Sequence, residues 1–305
     1  MHSIRKNFKI IVSSAAVGLA VAAIIAITRG HTFAVLDPQG AIATQQRTIL
    51  IIATVLILVI VLPVIAMTFA IAWRYREQNT KARYTPDWDG DGRLETIWWG
   101  IPVLIIIALS SVIWTSSHAL DPYKPIASAT PPLQVQVVAL PWKWLFIYPE
   151  QHIASVNLLK MPVGRPVEFT ITSDAAMNSL WIPQLGGQVY AMAGMNTKLH
   201  LIADKTGNYR GSSANISGTG FADMHFIASA VSSDDFATWA TSVQNSGKDL
   251  TQTSYATLAR PGTLPSPDFY RATDATLYDT IINKYMYPAG TPPDGGSMEH
   301  TMMGH

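Results

Sequence analysis

Three apolar runs without a charged residue fill the first part of the chain: residues 10–28, 48–73 and 97–116. The second run has 26 residues, enough to cross a hydrocarbon core of about 30 Å at about 1.5 Å per residue. Tryptophans flank the third run, as they do at membrane interfaces. The pattern predicts a transmembrane domain over residues 35–120, with helices at about 48–73 and 97–116.

The first apolar run has a different character from the other two. Arg5, Lys6 and Lys9 precede it, and a basic start before an alanine-rich apolar stretch is typical of a secretory signal. Thr32 to Ala34 form an imperfect small-x-small cleavage site. Residues 1–34 are therefore interpreted as a signal-like segment, and two alternatives stay open: a cleaved signal or an uncleaved anchor.

The orientation of the two predicted helices follows from the charges between them. Their loop, residues 74–95, carries a group of basic side chains: Arg74, Arg76, Lys81, Arg83 and Arg93. Basic loops stay on the cytoplasmic side, so the helices form a hairpin that opens outward. Everything after about residue 117 then lies outside the cytoplasm, which in a bacterium is the periplasm.

Short runs of alternating residues begin at Leu133. Apolar side chains recur at every second position in 133–137 and again in 167–171, and glycine-containing turns separate the later runs. Repeated short strands predict a β-sandwich or barrel over residues 125–231. The polar, glycine-rich stretch 211–226, GSSANISGTGFADMHF, is interpreted as a loop between two strands.

The period changes after residue 231. Ser232 precedes two acidic residues, and Phe236, Trp239 and Val243 follow at helical spacing, the pattern of a capped amphipathic helix. A second helix is predicted at about 274–286, giving a helical extension over residues 232–290. The tail, residues 291–305, contains Met and His and is interpreted as a flexible end or a weak copper ligand.

Composition narrows the chemistry. The net charge of +1 gives no electrostatic argument for nucleic acid. The chain contains no cysteine, which excludes disulfides, thiolate metal sites, cysteine nucleophiles and lipid attached to cysteine. Four histidines of the outer region have no metal-ligand spacing, so no hydrolytic metal site is predicted: His118, His152, His200 and His225.

The loop between the membrane helices contains two candidate features. Asp87, Asp89, Asp91 and Gly92 match the start of a calcium-binding loop, but its twelfth position, which requires glutamate, is Trp98. A solvated acidic turn is therefore the better interpretation. Glu95 either interacts with the dipole of the helix that follows or delivers protons to a partner, and the residues alone leave both roles open.

Three stretches of the outer region resemble subunit II of the haem-copper respiratory oxidases: WKWLFIYPE (142–150), DAAMNSLWIP (174–183) and QLGGQVYAMAGMNTKLHLIA (184–203). The resemblance extends from about Leu36 to Ala240. It implies an α+β membrane protein, in which a transmembrane helix hairpin precedes an extramembrane cupredoxin-like Greek-key β-sandwich with C-terminal helices. Trp142 and Trp144 would then be structural members of an aromatic strand.

Members of this family that oxidise cytochrome c hold a dinuclear copper centre with cysteine, histidine, methionine and a glutamate carbonyl. Counting along the resemblance gives the matching positions here: Met177, Ser213, Asn215, Ser217, Phe221 and Met224. Two copper ions need bridging thiolates, because soft sulfur supports a mixed-valence pair. A chain without cysteine cannot supply them, so these six positions are interpreted as vestigial, with no metal and no catalytic residue.

The emptied pattern resembles the quinol oxidase branch of the family, of the cytochrome bo type. That implies a redox-silent subunit in the bacterial inner membrane, in contact with lipid and with subunits I, III and IV. Subunit I would hold the haems and one copper and pass electrons from ubiquinol to O2. Glu95 matches a glutamate at the cytoplasmic mouth of a proton channel in subunit I.

Two other hypotheses remain. A subunit II with an intact copper centre is disfavoured by the absence of cysteine. A membrane-tethered periplasmic β-sandwich that binds a ligand or protein, unrelated to respiration, predicts a chain that is stable without partners.

Overall fold

A computed structural model describes residues 33–83, 85 and 90–286. Several predicted features lie outside the described residues. These are the signal-like segment apart from Phe33 and Ala34, the Met/His tail 291–305, and Asp87 and Asp89 of the acidic turn.

Two long helices form the predicted hairpin: α1, Ala41–Arg74, and α2, Gly92–Ala119. Both are long and apolar enough to cross a membrane. Each extends beyond its predicted range at both ends, because an apolar run marks the part that fits hydrocarbon and not where helical hydrogen bonds end. Helix α2 begins at Gly92 because the Asp91 carboxylate accepts hydrogen bonds from the amides of Arg93 (2.9 Å) and Leu94 (3.4 Å).

Eleven strands follow the hairpin: β1 Leu133–Leu140, β2 Lys143–Tyr148, β3 Ile153–Val156, β4 Leu158–Pro162, β5 Val167–Ser173, β6 Asn178–Trp181, β7 Val189–Ala191, β8 Thr197–Leu201, β9 Gly207–Ser213, β10 His225–Val231 and β11 Asp268–Arg271. They form one sheet with the order β11-β3-β2-β1-β5-β8 and a second with the order β4-β10-β9-β6-β7. The pairs β1–β5 and β4–β10 are parallel. The fold is therefore a β-sandwich, as the sequence predicts.

The core lies between the two sheets and follows the alternation of the strands. Val135 is opposite Phe169 on β5, and Val137 is opposite Phe146 on β2; all four side chains are buried. Tyr148 is also fully buried, and its hydroxyl both donates to and accepts from the backbone of Lys160. A buried phenol with both hydrogen bonds made adds no unsatisfied polar group to the core.

Three local features differ from the expectations. Residues 211–213 belong to β9 and not to a loop; Gly211 allows this, because a Cβ there would lie 2.1 Å from the ring of Phe226. Trp142 lies in the turn between β1 and β2 and not in a strand, with a φ of 64°. The C-terminal extension is not all helical, since β11 pairs with β3.

Helices α3 Ser233–Gln244, α4 Gln252–Leu258 and α5 Leu277–Met286 complete the extension. Helix α3 matches the predicted amphipathic helix: Ser232 caps it by accepting from the amide of Asp235 (3.1 Å). The side chains of Phe236, Trp239 and Val243 are buried. The last helix begins at Leu277, three residues later than predicted, because the carboxylate of Asp274 bonds to Thr276 in the turn before it.

A buried carboxylate attaches α4 and α5 to the sandwich. Asp174, directly after β5, accepts hydrogen bonds from Lys284 (2.6 Å), Tyr285 (2.6 Å) and Tyr255 (2.7 Å). Burial alone would raise the pKa of Asp174, but these donors outweigh it and the pKa is lowered. Burial and the carboxylate raise the pKa of Tyr255, which therefore remains a donor. We call these four residues the Asp174 cluster.

Asp174→Asn keeps the size of this side chain and removes its charge. We expect the free energy of unfolding to fall by about 2 kcal/mol at neutral pH, because three donors lose a charged acceptor. The pKa of Asp174 in the folded chain lies below the ordinary 3.8. The difference in the free energy of unfolding between the variant and the wild type is therefore complete above pH 3.8. It is lost as the pH falls from 3.8 through the folded pKa.

Denaturant unfolding of the purified chain in detergent, repeated across this acid range, measures the difference. Asp223→Asn, at an exposed carboxylate, is the control. Equal stability of the Asp174 and Asp223 variants at neutral pH would contradict the role of the cluster.

Candidate functional site

The vestigial copper positions lie where β9 ends beside the start of the antiparallel strand β6, with Leu180 opposite Ser213. Ser213 is buried, and its hydroxyl donates to Asn178 Oδ1 (2.7 Å) and approaches the carbonyl of Asn215 (3.2 Å). The hydroxyl of Ser179 donates to Asn215 Oδ1 (2.5 Å). Asn178 donates in turn to the carbonyl of Ala176 (2.7 Å). These uncharged side chains hold both loops at this end of the sandwich, and we call Asn178, Ser179, Ser213 and Asn215 the polar network.

The other vestigial positions are arranged around this network without forming a ligand set. Met224 is 1% exposed and packs in the core, and its carbonyl accepts from the amide of Ser213 (3.1 Å). Met177 is 48% exposed, and Phe221 begins a short 3₁₀ helix. The buried hydroxyl of Ser217 has no hydrogen-bond partner within the described part of the chain. The contacts therefore join Ser213, Asn215 and Met224 but not Met177.

The donors at these positions do not fit a dinuclear copper centre. Serine hydroxyls and an asparagine amide are neutral, hard donors. The thioether that lies among them, that of Met224, is packed in the hydrophobic core. Over residues 33–83, 85 and 90–286, no group of three or more His, Asp or Glu side chains is placed to hold a metal ion.

Trp142 covers this end of the sandwich. Its indole nitrogen donates to the carbonyl of Ser217 (3.2 Å), and its ring rests on Gly220, where a Cβ would lie 2.3 Å from the indole. Trp144 is fully buried and meets the ring of Phe226 edge-on, with 5.9 Å between centroids. Both tryptophans are thus placed to pack.

Glu95 lies in the first turn of α2, at the end of this helix that is remote from the sandwich. It belongs to the exposed first turn, and its amide donates to the carbonyl of Asp91 (2.9 Å). The 28 residues of α2 span about 42 Å, long enough to cross a membrane, and Glu95 lies in the turn farthest from the sandwich. Its exposure leaves the carboxylate in contact with water.

Sequence reasoning missed Asn178, Ser179 and Asp174. All three lie inside the stretch DAAMNSLWIP (174–183), where the resemblance gives these residues no role. The pairing of β6 with β9 brings Asn178 and Ser179 to the site, because it places the adjacent Leu180 opposite Ser213.

Comparison with known proteins agrees with this geometry. Residues 133–231 match the family described as "Cytochrome C oxidase subunit II, periplasmic domain", and residues 244–289 match "COX Aromatic Rich Motif". The chain is 49% identical over 256 residues to cytochrome bo(3) ubiquinol oxidase subunit 2 of Pseudomonas putida, covering 84% of this chain and 82% of the relative. The chain belongs to the ubiquinol oxidase subunit 2 family.

Two other proteins are also similar to this chain. Ubiquinol oxidase subunit 2 of Acetobacter aceti is 47% identical over 253 residues, which are 82% of each chain. The periplasmic domain of subunit II of cytochrome oxidase from Bradyrhizobium japonicum is 20% identical, with a TM-score of 0.36 over 38% of this chain and 96% of that one. The C-terminal family match contains three members of the Asp174 cluster, namely Tyr255, Lys284 and Tyr285.

Ser213→Ala tests the polar network in this subunit 2 chain. The variant leaves Asn178 Oδ1 buried without its donor, so we expect the free energy of unfolding to fall by about 1–3 kcal/mol. Ser212→Ala, at the partly buried neighbour, is the control and should change it by less than about 0.5 kcal/mol. Denaturant unfolding in detergent compares them, and equal effects would show that the network does not hold the loops.

Proposed function

We propose that this chain is the copper-free, non-catalytic subunit II of a proton-translocating ubiquinol oxidase, which passes electrons from ubiquinol to O2. The observation that carries the proposal is the polar network, in a chain whose relatives are named ubiquinol oxidase subunit 2. Hydroxyl and amide groups occupy the positions where a relay from cytochrome c would need copper ligands. Electrons would therefore reach the haems and the copper of subunit I directly from ubiquinol.

Exposed apolar surface supports a role in assembly with subunit I and, through the complex, with subunits III and IV. The two membrane helices are apolar on all sides and bury almost none of their own side chains. At the end of the sandwich that carries the polar network, Ile216 is 85% exposed, and Met177 and Met195 are also exposed. Large apolar side chains exposed together at one end of a domain are typical of an interaction surface. We infer that this end caps the outer face of subunit I.

The proposed topology places Glu95 at the cytoplasmic face and the sandwich in the periplasm of a bacterial inner membrane. The basic residues Arg74, Arg76 and Arg93 lie at the Glu95 end of the hairpin. There the Glu95 carboxylate would collect protons from water and pass them to a channel in subunit I. Its exposure in the first turn of α2 suits collection and not bond chemistry.

Mild-detergent purification of the tagged chain from membranes tests the assembly. We expect a haem protein to co-purify, visible in a reduced-minus-oxidised spectrum, and the complex to consume oxygen with ubiquinol but not with reduced cytochrome c. Recovery of the chain from these membranes without any haem protein would instead support the membrane-tethered binding module. Oxidation of cytochrome c would contradict the redox-silent role.

Glu95→Gln tests proton entry within that complex. We expect ubiquinol-driven oxygen uptake to fall by roughly tenfold with an unchanged haem content, since the amide cannot carry a proton. Glu95→Asp should retain most of the activity. Glu77→Gln, at an exposed carboxylate in the same loop, is the matched control. Oxygen uptake by the Glu95→Gln complex at the wild-type rate would contradict a role of Glu95 in proton entry.

A further inference from the structure

The membrane hairpin contacts the sandwich at two places, before α1 and after α2. Before α1, Gln39 donates to the carbonyl of Gln184 (2.7 Å) and accepts from the amide of Asp204 (2.9 Å). Gly40 then approaches Ile202 so closely that a Cβ would lie 2.2 Å from its carbonyl oxygen. After α2, the chain meets the sandwich beside a cavity of about 310 Å³ that lies between the outer helix ends, the linker and the sandwich.

The side chain of His200 connects the sandwich to the linker after α2. It lies on β8, is 5% exposed and lines the cavity. Its Nδ1 lies 2.9 Å from the carbonyl oxygen of Pro122, in the linker that follows α2. A carbonyl oxygen only accepts, so Nδ1 must carry the hydrogen. The other nitrogen of neutral His200 is then a bare acceptor.

That second nitrogen faces another acceptor. Nε2 of His200 lies 3.8 Å from Oε2 of Glu168 on the neighbouring strand β5, and among the described residues this buried nitrogen has no hydrogen-bond partner. Glu168 accepts from Gln134 (2.9 Å) and from Lys198 (2.9 Å). Nε2 and Oε2 are thus two acceptors 3.8 Å apart, too far apart for a hydrogen bond as they stand, and a proton on Nε2 would draw them together into a charge-assisted one.

We propose that His200 is a pH-sensitive link between the linker after α2 and the sandwich. A proton taken from water at Nε2 gives an imidazolium that donates to Pro122 through Nδ1 and to Glu168 through Nε2. The link therefore strengthens as the pH falls, and imidazole is the side chain whose charge changes between about pH 5 and 8.

The charges around His200 set the direction of this response. Glu168 attracts the imidazolium, and Lys198, already bound to the same carboxylate, opposes it. From the linker, Asp121 and Lys124 line the cavity with opposite charges, and α1 contributes the uncharged Gln45 and Gln46. Glu168 is the nearest of these charges to the His200 ring. If the chain functions as proposed above, this link lies on the side of the membrane that receives the translocated protons.

Hydrogen exchange of the full chain in lipid nanodiscs tests the link without using activity. The measured amides are those of residues 120–127, at about pH 8 and about pH 5.5, with rates corrected for intrinsic exchange. We expect exchange at the lower pH to be about tenfold slower, as one added charge-assisted hydrogen bond would make it. Residues 133–140 in the core serve as the reference. An unchanged rate in residues 120–127 would overturn the proposal.

Two variants separate the link from a general effect of pH. His200→Asn retains a donor for Pro122 but takes up no proton, so the pH dependence should vanish. Glu168→Gln offers an amide N–H to neutral Nε2, so exchange should be slow at both pH values. Nitrogen-15 shifts of His200 in the wild type should show hydrogen on Nδ1 throughout and on Nε2 only at the lower pH. A tenfold slowing that persists in His200→Asn, or a bare Nε2 at both pH values, would refute the proposal.

Discussion

The hydrogen bond from Ser213 to Asn178 joins the end of β9 to the start of β6, and the resemblance described above predicts Ser213 to stand at a position where copper-binding members of the family have a cysteine. It is short, buried and uncharged, and Ser179 and Asn215 satisfy each other beside it. With Met224 packed in the core behind these groups, the loops need no metal to hold them together. Among the residues that the structure describes, this end of the sandwich offers neutral oxygen and amide groups, and the proposed electron path therefore avoids it.

The length of α2 divides the remaining functions between the two sides of the membrane. Glu95 lies near the start of α2, roughly 36 Å along the helix axis from its last residue, Ala119, so in the proposed function its carboxylate would act only on the proton supply at its own face. In the outer domain, packing and hydrogen bonds fix the shape of the sandwich. Trp142 rests on Gly220, and the Asp174 cluster attaches the C-terminal helices near the exposed apolar end. The hairpin exposes apolar side chains along its whole length, so lipid and partner subunits must cover it.

Much of this architecture could be predicted because its signals are local. Uncharged runs predicted the hairpin, and alternation predicted strands such as β1. Strand β9, with the sequence GNYRGSS, lacks apolar alternation; it pairs with β10 and β6, and Gly211 leaves room for the ring of Phe226. Absent cysteine decided the chemistry of the site, but its actual contacts are non-local: Ser213 meets Asn178 from 35 positions away, and Lys284 meets Asp174 from 110.

Copper binding by the purified full chain tests the central claim most directly. The chain would be titrated with copper under reducing and oxidising conditions and followed by absorption and electron paramagnetic resonance, alongside Met224→Leu and a chain that ends at residue 290. The predicted result is no mixed-valence dinuclear signal, and loss of any bound copper when residues 291–305 are removed. A dinuclear signal that survives this truncation and disappears in Met224→Leu would contradict the claim that the sandwich is redox-silent.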